Sequence, residues 1–501
     1  MLCAATVLFA CSCAERKPQE YNIRAFGAFG DGKTLDTTAI NNAMKACARK
    51  GGGIVTVPPG EYRSGTIQLL SNVNLHLEAG AVIRGSPNLL DYALGGRTQV
   101  VESTFEQPEY LRFGLIVAED ANNVAITGRG VIDGNGDVFM EPNTAHDSGD
   151  YDKAYTRQGE RYAPRLPDGP ISPIRDSTGR RLRPGTMVLF NNCRNILIRD
   201  VTMVGAANWA LHLACCDDAE VAGVIMHHST LIPNADGIDV SNCHNVRIAD
   251  CDIIAGDDGI AMGACGDNFC GRTTENITVT NCTIESRSAG IRVGYANYDV
   301  RNCTFENLVI HSTNRGIGLF VRGTQSIENI LFSNIVIQTR LFTGWWGNGE
   351  PIHISTIRAR EDPALGQIRN VRFSNIVADG EAGIVLYGCQ ESIIRDVFFD
   401  SVGLTIRNSP LNESFGGNFD LRPAFDRRFG VFKHDIPGLY AGYVDGLEIS
   451  GLQIAWDDNL PEFFNHAIWC ENFKGVTIDG FVGRQAHIGD NRAAIVLDKG
   501  S

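Results

Sequence analysis

The sequence predicts an all-β chain wound as a single-stranded parallel β-helix (a solenoid) with an N-terminal capping helix, on three observations. An Asn followed by an apolar residue and alternating β-formers recurs at Asn72, Asn123, Asn195, Asn245, Asn276, Asn302, Asn329 and Asn370, with weaker copies at Ser392, Gly446 and Gly475. The intervals of 51, 72, 50, 31, 26, 27 and 41 residues resolve into one or two coils each, plus insertions. A second motif, x-Gly-Ile-x-apolar, returns at Gly237-Ile238, Gly259-Ile260, Gly290-Ile291 and Gly316-Ile317, with degenerate copies at Ala210-Leu211, Pro351-Ile352 and Gly383-Ile384. Finally, 55 glycines imply many turns. Asn at a fixed turn suits a left-handed bend or a side-chain ladder down the stack.

In chain order, residues 1–20 are apolar and small, too short to span a bilayer, and read as an export signal. Leu8-Phe9-Ala10-Cys11 resembles a bacterial lipobox, so Cys11 is a candidate lipid anchor; plain signal cleavage is the alternative. The expectation is export to the periplasm or cell surface of a Gram-negative bacterium, as an outer-membrane lipoprotein if Cys11 is acylated. Residues 21–501 read as one domain. A helical pattern covers Thr37–Arg49, with Asp36 or Thr37 as N-cap and Gly51 as the stop. Short β runs follow at Gly53–Val57 and Thr66–Leu70, turned by Pro58-Pro59-Gly60. That helix is expected to seal the first coil, whose core and strand edges would otherwise face water. Three long insertions interrupt the repeat: about 135–184, 340–350 with Trp345-Trp346-Gly347, and 403–443. Loops of this length on a rigid scaffold are usually functional or disordered.

A net charge of −14 argues against a nucleic-acid partner, and an acidic protein that binds an acidic polymer needs a local basic patch. Of 15 cysteines, Cys193, Cys243, Cys282 and Cys303 each follow an Asn, which predicts stacked interior thiols. Cys265 and Cys270 lie in one loop and are expected to form a local bridge in an oxidising compartment. No spacing suggests a zinc site, and no cofactor or metal is expected.

The chemistry concentrates in two acidic turns, Asn234-Ala235-Asp236 and Gly256-Asp257-Asp258, which lie 22 residues apart. If that interval is one coil, adjacent strands are only about 4.8 Å apart. Asp236, Asp257 and Asp258 then crowd into one patch of surface, where like charge holds a proton in the group. An acid beside a base is what glycoside hydrolysis needs. Because the Ile of the second motif must face the core, its neighbours stack outward in two columns. The first reads Trp209, Asp236, Asp258, Ala289, Arg315, Glu350; the second reads His212, Asp239, Ala261, Arg292, Gly318, His353. Together they predict a saccharide-sized groove. Arg292 and Arg315 are candidates to hold a substrate carboxylate through paired N–H donors. Trp345 or Trp346 is a candidate platform for a sugar ring, and Glu350 belongs to the groove wall. His212 and His353 read equally as groove wall or packing. Asn234 either holds its turn or touches a sugar hydroxyl, and Asp239 reads as a structural hydrogen-bonding residue.

Several segments together resemble glycoside hydrolase family 28, the polygalacturonases: Phe26-Gly27-Ala28-Phe29-Gly30-Asp31-Gly32, Ile132-Asp133-Gly134-Asn135-Gly136, Arg183-Pro184, Asn234-Ala235-Asp236-Gly237 and Gly256-Asp257-Asp258. The likeness runs from about residue 21 to 340. It implies a right-handed parallel β-helix and single-displacement, inverting hydrolysis of pectic chains without a metal. It implies Asp257 as general acid, with Asp236 and Asp258 activating water. The chain departs from the family's pattern twice. Ser288-Ala289-Gly290 stands where the family has Gly-His-Gly, and Gly318-Leu319-Phe320 stands where it has Arg-Ile-Lys. An atypical hydrolase of a pectic or other uronate-containing polysaccharide is therefore expected, and the long loops with the extension over about 340–501 favour a closed, exo-acting pocket on branched pectin. The alternatives are a pectate-lyase-like eliminase or epimerase on the same fold, and a non-catalytic glycan-binding β-helix.

Overall fold

A computed structural model of the chain describes residues 20–94, 97–98, 114–145, 162–164, 183–263, 270–295, 297–342, 346–359, 361, 364–426, 430–489 and 491–500. Cys11, Cys265 and Trp345 lie outside the described residues.

The helix forms where its pattern places it, over Thr37–Arg49, and buries Ala39, Ile40, Ala43, Met44 and Cys47 against the first coil. Asp36 precedes it without capping it through the side chain. Its carboxylate instead accepts the N–H groups of Phe29 (2.8 Å) and Gly30 (3.1 Å), tying the preceding turn down. Gly51, at φ 94°, ends the helix.

From there the chain climbs in parallel coils. One face is a sheet of thirteen parallel strands among the described residues. Its central strands are Leu211–Ala214, Ile238–Ser241, Ile260–Met262, Ala289–Gly294, Arg315–Val321 and Glu350–Thr356. The remaining sides of each coil join in a second parallel system. Asn72, Asn123, Asn195, Asn245, Asn276, Asn302, Asn329 and Asn370 all adopt φ between 52° and 62°. Both alternatives for these asparagines hold at once, because the left-handed bends also stack their amides. Asn123 Nδ2 donates to Asn72 Oδ1 (2.8 Å), Asn195 to Asn123 (2.8 Å), Asn329 to Asn302 (3.0 Å) and Asn370 to Asn329 (2.7 Å). The interval of 50 between Asn195 and Asn245 hides a coil whose bend is Asp218, the acceptor for Asn245 Nδ2 at 3.1 Å.

The x-Gly-Ile glycines are required by close approach. A Cβ on Gly237 would lie 2.3 Å from Gly259 O, and one on Gly259 or Gly290 would lie 2.4 Å from the Ile284 or Ile310 side chain. Inside, Phe305, Phe332, Phe373 and Phe399 stack with ring centroids 4.8–5.0 Å apart, the spacing of the coils themselves. Each such buried ring contributes roughly 1.5–3 kcal/mol.

The cysteine expectations need two corrections. The thiols are interior, but they occupy three inner positions instead of one: Cys193, Cys216 and Cys243 follow one another, Cys251 and Cys282 share a second, and Cys303 pairs in register with Ile277. Cys270 is bridged to Cys215, across 55 residues, and so is not available to Cys265. The bridge ties a loop to the neighbouring coil. Among the described residues no helix is long and apolar enough to cross a membrane.

Candidate active site

The second outward column forms as read from the sequence. His212 pairs in register with Asp239, Asp239 with Ala261, Ala261 with Arg292, Arg292 with Gly318, and Gly318 with His353. In the first column Ala289, Arg315 and Glu350 are in register. Ladder bonds link Asp236 O to Ala210 N (3.0 Å) and Asp258 O to Gly237 N (2.9 Å), so the two acidic turns do lie on adjacent coils. Asp236, Asp257 and Asp258 each bring a carboxylate oxygen within 4.8 Å of the others.

The patch is not a surface one. Asp236 and Asp258 are only 3% and 6% exposed, and Asp257 alone of the three is partly open to solvent. The local backbone explains the arrangement. Asn234 bends left-handed at φ 59° and donates its N–H to Asp257 Oδ2 (3.2 Å), while its side-chain oxygen accepts from Arg183 Nη2 (2.9 Å). Arg183 also holds Pro233 O (2.5 Å), so Asn234 and the buried Arg183 build the turn. Ser286, on the following coil, donates to the Asp257 carbonyl, and Ala289 N–H donates to Asp258 Oδ1 (3.1 Å). Arg292 forms an ion pair with Asp258 and spends another donor on Gly294 O (3.0 Å). Burial opposes the Arg292 charge, yet Asp258, Asp236 and Asp239 together hold its guanidinium above its ordinary value.

The Arg292 guanidinium thus meets the charge of three carboxyls, Asp258, Asp236 and Asp239. Burial, then repulsion from Asp239, Asp257 and Asp258, pushes the Asp236 carboxyl well above the usual carboxylate range, against the pull of Arg292. Asp239 is raised in the same direction, first by burial and then by Asp258 and Asp257, again against Arg292. Asp239 was expected to be a structural hydrogen-bonding residue. It is instead fully buried, and neither carboxyl oxygen has a hydrogen-bond partner among the described residues.

This has a measurable consequence. A carboxyl whose folded value exceeds its unfolded one stabilises the fold fully below the unfolded value of about 3.9, and that stability is lost as pH rises through the folded value. Asp239→Asn removes the titration. The variant is expected to gain stability relative to wild type as pH climbs above about 4, read as the difference in Tm across a pH series. A difference that does not change with pH would contradict this reading.

The remaining predicted site residues are not brought to the cluster. Arg315, Glu350 and His353 are 3%, 0% and 0% exposed and form an enclosed network. His353 contacts Glu350 Oε1 (3.3 Å) and Ser355 Oγ (3.1 Å), and Asn348 N–H donates to Glu350 Oε2 (2.6 Å). Burial pushes Glu350 up, but the His353 bond and the Arg315 charge outweigh it and hold the carboxyl below its usual value. Burial, then Arg315, lowers His353 to about 4, so the ring is neutral. The cover comes from the third insertion. Asn418–Asp420 pairs with Val431–Lys433, and Arg315 donates to Asp420 O. Asp420 Oδ2 accepts Gly347 N–H (2.7 Å), and Arg322 Nη2 donates to Leu421 O (3.2 Å). This enclosure corrects the expectation that Arg315 meets a substrate carboxylate, and Arg292 is likewise committed to Asp258. His212, fully buried, contacts Ser241 Oγ (3.0 Å) and lies edge-on to Trp209, 5.0 Å between rings. Burial lowers it to about 3. Trp346 is partly exposed, and its carbonyl accepts from Asn314 Nδ2 (2.8 Å).

The three clustered carboxylates could in principle seat a cation, but the Arg292 guanidinium already occupies the Asp258 side of that seat.

Residues 175–379 match the sequence model of glycosyl hydrolases family 28, and residues 21–148 match that of rhamnogalacturonase A/epimerase, pectate lyase-like proteins. The chain is 27% identical over 263 residues to the exo-poly-alpha-D-galacturonosidase of Dickeya chrysanthemi, covering 49% of this chain and 42% of that protein, so it spans less than half of that relative. Among solved structures, the exopolygalacturonase of Thermotoga maritima aligns with a TM-score of 0.60 at 24% identity, over 78% of this chain and 89% of that one. The family 28 exopolygalacturonase of Yersinia enterocolitica aligns with a TM-score of 0.62 at 20% identity, over 97% and 78%. The fold is that of the right-handed parallel β-helix polygalacturonases. Residues 175–379 thus resemble glycosyl hydrolases family 28, and the chain is polygalacturonase-like.

Proposed function

We propose that the protein is exported and hydrolyses glycosidic bonds in a pectic, uronate-containing glycan, by an inverting acid/base mechanism working from chain ends. The observation that carries this is the convergence of Asp236, Asp257 and Asp258 within 4.8 Å, beside the ion pair of Asp258 with Arg292. Asp258, beside Arg292, is the base that takes a proton from water as its oxygen bonds to the anomeric carbon. Asp257, the partly exposed member, protonates the departing glycosidic oxygen. Asp236, buried and crowded by like charge, keeps a proton in the cluster. The enclosure of Arg315 by the 418–422 segment, and the exo-acting relatives named above, support a pocket for chain ends.

One observation favours a second stereochemical reading. Inverting pairs are usually roughly 6.5–9.5 Å apart and retaining pairs about 5–5.5 Å. Oxygens within 4.8 Å lean toward the latter, so inversion draws its support from the family.

The test is proton NMR of the anomers formed from defined oligogalacturonides in the presence of a chelator. The expected outcome is stepwise release of a short end product whose first anomer is inverted, with no unsaturated sugar absorbing in the ultraviolet. A retained first anomer would replace the single displacement with a covalent intermediate. An unsaturated product, or activity abolished by the chelator, would overturn the hydrolase reading in favour of an eliminase.

A further inference from the structure

A uronate entering this site adds a negative charge beside four carboxyls, so a cation must meet it. The cations expected from the sequence are committed elsewhere. Arg292 is consumed by Asp258 and Gly294 O, Arg315 is enclosed beneath Asp420, and Gly318-Leu319-Phe320 carries no charge. Arg183 is buried in the Asn234 turn.

We infer that Arg287, backed by the Phe342 ring, is the group that binds the substrate's carboxylate. The inference rests on the hydrolase reading above and supplies the specificity determinant it lacks. Arg287 stands between Ser286, which donates to the Asp257 carbonyl, and Ser288, whose N–H donates to Ser286 Oγ at 2.9 Å. Two residues further on, Ala289 N–H holds Asp258. Arg287 is therefore fixed on the coil that follows the Asp257 turn, at the position that Asn234 and Gly256 occupy on the two preceding coils.

Its side chain is partly exposed, and no carboxylate among the described residues pairs with it. Its Nε is buried without a hydrogen-bond partner. The guanidinium carbon lies 4.0 Å from the centroid of Phe342, whose backbone N–H is anchored on Asn314 Oδ1 (3.3 Å). Contact with an aromatic ring restrains the plane of a guanidinium without using its edge donors. Those donors match a carboxylate in paired fashion. Such a group distinguishes a free uronate from its methyl ester, whose neutral oxygens accept weakly and carry no charge.

The experiment compares kcat and KM of wild type, Arg287→Gln and Arg287→Lys on trigalacturonate and on its methyl ester, with Tm as the control for folding. Wild type is expected to prefer the free acid. Arg287→Gln is expected to lose about 30-fold in kcat/KM on the acid, mostly through KM, the scale of one charge-assisted contact. Its rate on the ester should change about twofold at most, so the acid preference collapses. Arg287→Lys should recover part of it, having charge without the planar fork. An Arg287→Gln enzyme that folds normally and keeps the full acid preference overturns the assignment. A wild type that cleaves neither substrate overturns the hydrolase reading, and the assignment with it.

Discussion

Asp257→Asn lowers kcat on an oligogalacturonide by about a thousandfold and leaves the fold intact. General acid or base contributions are commonly in the range of about 10²–10⁴. The amide cannot give up a proton, but its side-chain oxygen still accepts the Asn234 N–H that Asp257 Oδ2 accepts now. Asp257 is the partly exposed member of the cluster, and Asn keeps its size and shape. Reducing-end release and thermal unfolding, measured on the same preparation, separate the two effects. A variant that loses activity only in proportion to lost folded protein would make Asp257 a structural residue.

Arg292→Leu produces the largest stability change expected of any single substitution here. Arg292 is 9% exposed, and its positive charge acts on Asp236, Asp239 and Asp258. Removing one partner of a buried pair typically costs about 3–5 kcal/mol, because the other charge is left unpaired in a poor dielectric. The loss should grow as pH rises, since the carboxyls then give up the protons that would relieve them. Denaturant unfolding of Arg292→Leu, Asp258→Asn and the double variant gives the coupling. The double variant is expected to be more stable than Arg292→Leu alone. Additive losses would mean that Arg292 acts through packing and not through the ion pair.

Periodicity made the scaffold and its registers legible in the sequence. The Asn bends and the Ile column each mark one fixed place per coil, and parallel coils convert equal place into contact. The run from His212 to His353 could therefore be stacked correctly without coordinates. Burial was not legible. Column position gives the direction of a side chain relative to the sheet, but not what a distant loop lays over it. Arg315, Glu350 and His353 point outward and are nevertheless sealed by residues around Asp420, more than a hundred positions from Arg315. Nothing in the pattern couples those segments. Ion-pair choice was equally hidden: Arg292 was assigned outward to substrate, whereas a neighbouring coil's carboxylate claims it. Arg287 lies in the turn, two residues before the outward column, where the x-Gly-Ile motif sets no requirement. Its place beside Asn234 and Gly256 on the other coils was the signal that could have found it. The Phe305–Phe399 stack had a comparable signal, since Phe305, Phe332 and Phe373 each stand three residues after a ladder Asn.

The claim beneath all of this is that water, activated within the Asp236–Asp257–Asp258 cluster, replaces the glycosidic oxygen. Mass spectrometry of trigalacturonate digested in water enriched in heavy oxygen addresses it directly. One heavy oxygen is expected at the anomeric carbon of each new reducing end with wild type, and about a thousandfold slower labelling with Asp257→Asn. Products with a ring double bond and no heavy oxygen, or an Asp257→Asn enzyme that incorporates label at the wild-type rate, would contradict it.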